Sequence, residues 1–336
     1  MPAIRIRAPR KQDNEALIAL ERRSPLVVGE IELAFDRSPD YFAGSRLQER
    51  SQYVVAEQDG RLVGVCASAV HPATVMGRER LLAYTYHERI DPEFQRHGFG
   101  RALPRWLGQR WLAAGINYDR TYAYIDSKNA ASLAFSASRG GPGPWPVDAW
   151  LQDLPANASD PGVHTEPVGP ADIDVVVALV NATHGGLELF PIYTPQFLRS
   201  RLSRSPQYGW AQWHGLRRDG RLIAAAGVFD QGANVAAIAR PRGGGPETIS
   251  RSLVVLDYGY ARGEVQAMMN LLDCLRHLAA ANDRQSLEIS VPESRPLYGP
   301  VMDQASNHIR FKFLGGIPRP HANDHIEGVY IDPVYL

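Results

Sequence analysis

The sequence is poor in the features that would tie it to an oxidising, membranous or strongly charged setting. Cysteine occurs only at positions 66 and 274, too few for a disulfide framework or a cysteine-rich zinc site. No apolar run approaches the roughly 20 residues a bilayer-spanning helix needs. Met1 to Gln12 carries Arg5, Arg7, Arg10 and Lys11 without an apolar stretch, so no secretory signal is read there. Net charge is missing too, with 36 Lys and Arg balancing 36 Asp and Glu. Chains held to nucleic acid or anionic lipid by bulk attraction carry a basic excess, and basic–aromatic interleaving is also absent. These absences predict a soluble, cytoplasmic protein with no nucleic-acid and no membrane partner.

What remains is a chain of 336 residues, 44% apolar and 21% charged, enough for a sizeable core and two domains. The clearest break is the polar, proline-bearing stretch from Gln152 to Val163. It suggests an N-terminal domain over 1–153, a linker over 154–163 and a C-terminal domain over 164–336. The halves echo one another. Gln52-Tyr53 leads to the hairpin signal Asp59-Gly60, as Gln207-Tyr208 leads to Asp219-Gly220. Arg46-Leu47 and Arg201-Leu202 precede those tyrosines by the same six residues, and acidic helix starts stand at Asp13 and Asp172. This order reads as a tandem duplication.

Hydrophobic patterning in the first half predicts strands over 3–7, 52–57, 61–70, 80–90, 119–125 and 145–151. Helices are expected over 13–22, 40–50, 100–114 and 129–138. Leu103, Trp106, Leu107 and Trp111 share one helix face, Pro104 is tolerated near the first turn, and Gly115 can close the helix. Asn129 is a suitable N-cap for the last helix, which sends Leu133 and Phe135 towards the core.

Between strand 80–90 and the helix from Gly100 lies Asp91-Pro-Glu-Phe-Gln95-Arg96-His97-Gly98-Phe99-Gly100-Arg101. Two glycines at a helix start allow a tight turn whose N–H groups can cradle a pyrophosphate, assisted by Arg96 and Arg101. Neither the third glycine of a dinucleotide fingerprint nor a P-loop lysine follows. The spacing of Gln95, Gly98 and Gly100 resembles the Arg/Gln-x-x-Gly-x-Gly/Ala motif of the GNAT superfamily of N-acetyltransferases. Downstream, Asn129-Ala-Ala-Ser132-Leu-Ala-Phe135-Ser136 is similar to that family's Asn-x-x-Ala/Ser-x-x-Leu/Phe-Tyr signature. Glu21-Arg22-Arg23, Tyr122-Ala-Tyr124-Ile125, Phe190-Pro191 and Gly328-Val-Tyr-Ile-Asp-Pro333 further resemble plant HOOKLESS-type N-acetyltransferases.

The resemblance implies an α/β (α+β) chain of two tandem GNAT-like domains, each a mixed, mostly antiparallel sheet flanked by helices. It implies acetyl-CoA as co-substrate, no metal, and direct transfer of the acyl group to a primary amine of a small molecule or protein. CoA contacts are expected from Arg89, Ile90, Gln95, Arg96, His97, Gly98, Phe99, Gly100, Arg101, Asn129, Ser132 and Phe135. Backbone donors on the strand Tyr86–Ile90 would meet the thioester. Glu88 is the first candidate for the base and His87 the second, on opposite faces by strand alternation. Glu30 and Glu32 are alternative liners of an acceptor pocket.

One departure matters. Ser136 stands where the family's acidic tyrosine is usual, and an aliphatic hydroxyl is a far weaker acid than a phenol. Tyr84, Tyr86, Tyr122, Tyr124 or water would have to protonate the thiolate. In the second half, Asp257 to Glu264 has glycines at the wrong spacing and two carboxylates that would repel phosphates, so only the first half is expected to bind CoA. That half-chain would instead shape the acceptor pocket, brace its neighbour or form a homodimer. Two other readings stay open: a non-catalytic acyl-CoA-binding regulator, and an acyltransferase acting on a hydroxyl or using a longer acyl-CoA. Cys66 reads as core, His277 as a packed or surface residue, and His321 and His325, though spaced i,i+4, as unsuited to a metal because Pro318 and Pro320 discourage a helix there.

Overall fold

The computed structural model describes residues 4–138, 145, 148–315 and 326–333. The first half contains β1 (Ile4–Arg7), α1 (Asn14–Arg23), β2 (Leu26–Val28), β3 (Ile31–Asp36), β4 (Ser51–Gln58), β5 (Arg61–Val75) and β6 (Arg78–Ile90). It continues with α2 (Phe99–Ala113), β7 (Arg120–Asp126), α3 (Ala130–Ala137) and β8 (Asp148–Pro155). The second half opens with β9 (Glu166–Pro167), α4 (Ile173–His184), α5 (Pro195–Leu202), β10 (Trp213–Arg218) and β11 (Arg221–Phe229). It ends with β12 (Ala236–Pro241), β13 (Thr248–Ser250), β14 (Ser252–Tyr260), α6 (Val265–Ala281), β15 (Ser286–Ile289), α7 (Tyr298–Gln304) and β16 (Asn307–Gly315).

Among the described residues twelve strands form one mixed, mostly antiparallel sheet in the order β1-β4-β5-β6-β7-β16-β8-β15-β14-β11-β10-β9. Read inwards from either edge, the succession is alike. Antiparallel strands joined by a hairpin lead to one parallel pair, β6 with β7 on one side and β14 with β15 on the other. The expected Asp-Gly hairpins are both present. Asp59 and Gly60, like Asp219 and Gly220, take positive φ, the backbone hand that suits a two-residue hairpin turn.

The centre of the sheet is an exchange. β8, from the first half, pairs with β15 and β16, whereas β16, near the chain's end, pairs with β7 of the first half. Gln152 sits in this seam, fully buried. Its Nε2 donates to the Val291 carbonyl and its Oε1 accepts from the Val291 N–H, both at 2.9 Å, prolonging the ladder past the end of β15. The break expected from Gln152 therefore begins later, because strand pairing carries β8 to Pro155.

Helices cover both faces. α1 packs on β3, β5 and β6, and α2 on the opposite face against β4, β5 and β6. Leu17 and Leu20 of α1 and Leu103 and Leu107 of α2 are all at most 1% exposed, each worth about 2 kcal/mol of burial. Pro104 falls in the second turn of α2, deeper than expected, and removes the donor that would serve the Gly100 carbonyl.

Two local expectations differ. The segment 40–50 forms only a short 3-10 turn at Gly44–Leu47, since Asp40 turns the chain by accepting from the Phe42 N–H at 3.1 Å. The stretch holding Glu30 and Glu32 is a hairpin, and its β3 joins β12 in a second, four-stranded sheet, β13-β12-β3-β2. Glu30 is exposed at that turn, and Glu32 lies in register with Arg240.

The seam carries a titration. Half-buried Glu288 of β15 lies opposite Asp153 of β8 and accepts from Ser252 Oγ at 2.7 Å. Burial outweighs that hydrogen bond and, with the nearby Asp153 charge, pushes the Glu288 carboxyl up to about 7. A carboxyl raised in the folded state contributes stability while protonated, present below about pH 4.5 and lost as pH rises through about 7. Glu288→Gln should therefore raise the Tm by a few degrees at pH 8 and leave it unchanged near pH 4.5. Paired thermal melts at the two pH values check this.

Candidate active site

The site begins where two parallel strands part. β6 and β7 are in register only over Leu82–Tyr84 and Arg120–Tyr122. β7 then stays with β16 from Tyr122 to Asp126, while β6 runs on with β5. A fork opens whose β6 arm is Thr85–Ile90. On that arm the β5–β6 register slips between Val65 and Ala67, and His87 takes φ +49. This bulge interrupts strand alternation. Tyr86 and His87 consequently stay together on the α1 face, their rings 4.8 Å apart, whereas Glu88 turns to the α2 face.

Beyond the fork the chain enters the glycine loop. Arg96 (φ +65) and Gly98 (φ +87) are left-handed on either side of His97, an alternation that brings successive N–H groups into a concave anion-binding surface. Gly98 is the N-cap of α2, and no side chain caps the helix, so its first turn presents N–H groups and the positive dipole end. Gln95, Arg96, His97, Gly98 and Arg101 are exposed. His97 Nδ1 lies 2.9 Å from the Gln95 carbonyl, which braces the loop. A Cβ on Gly98 would meet nothing within 4 Å, so the cradle is open there. A Cβ on Gly100 would stand 2.7 Å from Phe135 and 2.9 Å from Glu88 Oε1. The Glu88 carboxylate and the Phe135 ring thus lie over the first turn of α2.

Several expected contacts are placed otherwise. Phe99 is 4% exposed and packs with Leu103 and Leu107, and Ile90 joins the same cluster, so both serve the core. Asn129 spends its side-chain oxygen on the Ser132 N–H at 3.0 Å, capping α3. Leu133, Phe135 and Ser136 are only half-buried, so α3 lies over the cradle rather than in the core. Arg89 points away from the loop, towards α1. Glu88 faces the cradle and not the α1 side. His321 and His325 lie outside the described residues. Cys66 is fully buried, and His277 sets Nδ1 against the Ser159 carbonyl at 3.1 Å.

The α1 face of the fork holds a polar cluster that motif reading missed. Glu21 of α1 is fully buried, 3.2 Å from Arg37 Nε and 3.3 Å from an Arg89 terminal nitrogen. Burial opposes the Glu21 charge, but the two arginines win and lower its carboxyl to about 2. His87 lies beside them with Nδ1 3.3 Å from the Tyr53 hydroxyl. Burial, reinforced by the Arg37 charge, holds its imidazole well below the usual range, so it is neutral. The sequence did carry a signal: Glu21 continues the apolar stripe of Leu17 and Leu20, where a carboxylate is out of place.

Below the fork stands a wall of phenols. Tyr84 stacks on Tyr86 at 5.4 Å and tilts against Tyr122 at 5.1 Å. The Tyr86 hydroxyl is held 2.8 Å from Ser51 Oγ. Tyr122 reaches His71 Nε2 at 2.6 Å, and Tyr124 donates to the Tyr330 carbonyl at 2.7 Å.

The second fork is closed. β14 and β15 pair over Ser252–Val254 and Ser286–Glu288. Beyond that, Tyr258 donates across to the Ser290 carbonyl at 3.0 Å. A Cβ on Gly259 would stand 2.4 Å from the α4 backbone at Leu179 and Val180, so α4 is pressed onto β14. Asp257, expected to repel phosphate, is instead buried among Arg201 and the hydroxyls of Tyr193 and Tyr208. Glu264 stands at the start of α6, paired with Arg218.

A fork beside an uncapped glycine-rich helix start has a family counterpart. Residues 15–140 match the family model described as the acetyltransferase (GNAT) family. The fold is GNAT-like. N-myristoyltransferase from Saccharomyces cerevisiae, solved with bound myristoyl-CoA, superposes with a TM-score of 0.68 at 9% identity, over 98% of this chain and 86% of that one. A GCN5-related N-acetyltransferase from Sphaerobacter thermophilus gives a TM-score of 0.59 at 16% identity, over 97% and 98% of the two chains. Searched against curated proteins, the sequence finds no match. The likeness in fold thus spans both halves of the chain, whereas the family match lies in the first.

The ion cluster makes a prediction about stability. Removing the Glu21 charge would leave two guanidiniums buried together without a counterion. Glu21→Gln should cost about 3–5 kcal/mol of unfolding free energy, the range for breaking a buried ion pair. Denaturant titration against wild type measures it, and a loss below about 1 kcal/mol would show the arginines to be compensated elsewhere.

Proposed function

We propose that the protein is an acyl-CoA-dependent N-acyltransferase whose one CoA site lies in the first half, beside a degenerate second half. The observation that carries this reading is the β6–β7 fork opening directly onto the uncapped N-terminus of α2. Bound CoA would supply an acyl group activated as a thioester. The residues fit such a ligand: Gly98 leaves open space, Arg96 and Arg101 stand exposed beside it, and the parted strands could offer N–H groups to an amide-bearing arm. Those strand donors would also polarise the thioester carbonyl, a term that needs no special side chain.

The amine approaches from the α1 face. Its nitrogen forms the new bond to the carbonyl carbon, the carbon–sulfur bond breaks, and a proton must leave nitrogen. We assign that proton to the neutral imidazole of His87, since Glu88 faces the cradle. Nitrogen becomes far more acidic as it attacks, so a base of lowered pKa suffices. The sulfur leaves as a thiolate, whose conjugate acid has an ordinary pKa near 8.5, and solvent can protonate it. Ser136 is therefore no obstacle to turnover.

The likeness to a myristoyl-CoA enzyme favours a second reading with a long acyl chain. Against it, Tyr84, Tyr86 and Tyr122, none more than 6% exposed, fill the floor of the fork. We therefore propose a short acyl group.

Calorimetry tests the site. Acetyl-CoA should bind at one site per chain and more tightly than myristoyl-CoA. Gly98→Asp, which adds a carboxylate to open space, should weaken acetyl-CoA at least tenfold. Unchanged affinity would remove the proposed cradle, and two sites per chain would show the second fork to be competent. Turnover tests the roles. His87→Ala should lower kcat by about 100-fold or more with acetyl-CoA affinity kept, whereas Glu88→Gln should stay within a few-fold of wild type. The reverse ranking would return the base to Glu88, and binding without turnover on any amine would make the protein a regulator.

A further inference from the structure

The polar cluster on the α1 face of the fork has an unbalanced charge. Two guanidiniums, Arg37 and Arg89, share one carboxylate, Glu21, at 3.2 and 3.3 Å. The other titratable groups facing them from the packed elements are His87, Tyr41 and Tyr53. The imidazole is neutral, and burial pushes both phenols up, so neither adds a negative charge. Among the described residues the cluster therefore carries one excess positive charge, with both arginine side chains at most 11% exposed. Burying an uncompensated charge costs several kcal/mol unless something pairs with it.

The cluster is also short of hydrogen bonds. Glu21 Oε1 and Oε2, Arg37 Nε and the Tyr41 hydroxyl are all buried without one. Arg89 spends one terminal nitrogen on the Glu88 carbonyl at 3.0 Å. Arg37 meets Glu21 through Nε at 3.2 Å. Its terminal fork is the part of the side chain that suits a carboxylate bidentately. Phe35 lies beneath both guanidiniums, 5.4 and 6.0 Å from their central carbons, and holds them as a flat pair. Arg89 lies two residues past the His87 bulge on the open arm of the fork, so this charge sits on the side from which an acceptor would approach.

We infer that the acceptor is a small amine that also carries a carboxylate, and that Arg37 and Arg89 bind that anionic group on the α1 face. This rests on the acyltransferase reading and names its substrate class. Phosphates of CoA share the anionic chemistry, and the experiment separates the two sources.

The probes are α-amino acids, β-alanine and γ-aminobutyrate, each beside its own amide, titrated into the protein saturated with CoA. At least one carboxylated probe should bind ten times more tightly than its amide. Arg37→Gln should erase that difference and leave acetyl-CoA affinity within twofold. It should also fold, because the remaining Glu21–Arg89 pair is neutral, and Arg37→Lys, which keeps charge but loses the planar fork, should retain only part of the discrimination. If no pair is distinguished, or if discrimination survives both Arg37→Gln and Arg89→Gln, the inference is overturned. A tenfold loss of acetyl-CoA affinity in Arg37→Gln would assign the anion to CoA instead. Absence of acetyl-CoA binding by wild type is a separate failure, that of the acyltransferase reading itself.

Discussion

The parting of β7 from β6, while its other edge stays paired, governs the site. β7 shares three rungs with β6, then continues for four more residues against β16, a strand from the far end of the chain. Backbone N–H and C=O groups inside a sheet must be paired. β16 lies on the other edge of β7 and keeps that edge paired after β7 parts from β6. The strand exchange therefore anchors the β7 arm of the fork in the sheet, and that first-half strand depends on chain that arrives about 180 residues later. β8 does the reciprocal service for β15, with Gln152 extending the ladder by its amide.

A fork exposes strand edges, which proteins ordinarily cover. On the β6 arm the edge is made usable by a bulge. His87 at positive φ, an uncommon conformation for a side-chain-bearing residue, rotates the strand by one position. Without that slip, strict alternation would set His87 and Tyr86 on opposite faces. With it, one face of the arm gathers Tyr86, His87 and Arg89, and the other gathers Glu88 and Ile90. The bulge thereby divides the strand into an α1 side, polar and positively charged, and an α2 side that meets the glycine loop.

The sequence made much of this legible. Apolar periodicity located α1, α2 and the long strands, Asp-Gly pairs located both hairpins, and the glycine spacing located the loop. These are local signals, each set within a few residues. Three features were not legible, for one reason. The exchange of β8 and β16 leaves each strand locally ordinary, since a period of two records burial and not the partner's identity. The bulge shows no composition signal: alternation rightly set His87 and Glu88 on opposite faces, but nothing in the pattern brought Tyr86 onto the same face as His87. The Glu21 cluster is assembled from α1, β6 and the turn after β3, and only the misplaced carboxylate on an apolar stripe hinted at it. Phe99 shows that a motif position can also be a core position, its side chain packing with Leu103 and Leu107 while its backbone opens α2.

The two forks show what such a geometry requires beyond its topology. Both halves part a parallel pair, but in the second half Tyr258 bridges to Ser290 and Gly259 lets α4 press onto the strand. There, a buried carboxylate, Asp257, is surrounded by donors: Arg201, Tyr193 and Tyr208. Arg201 also pairs with Asp332, although its Nη2 is left without a hydrogen bond. In the first half the corresponding face holds an excess of positive charge and orphaned polar atoms. Unsatisfied buried groups cost free energy at both places. What separates the two forks is the sign of the buried charge: two arginines share one carboxylate at the open fork, whereas two carboxylates share one arginine at the closed one.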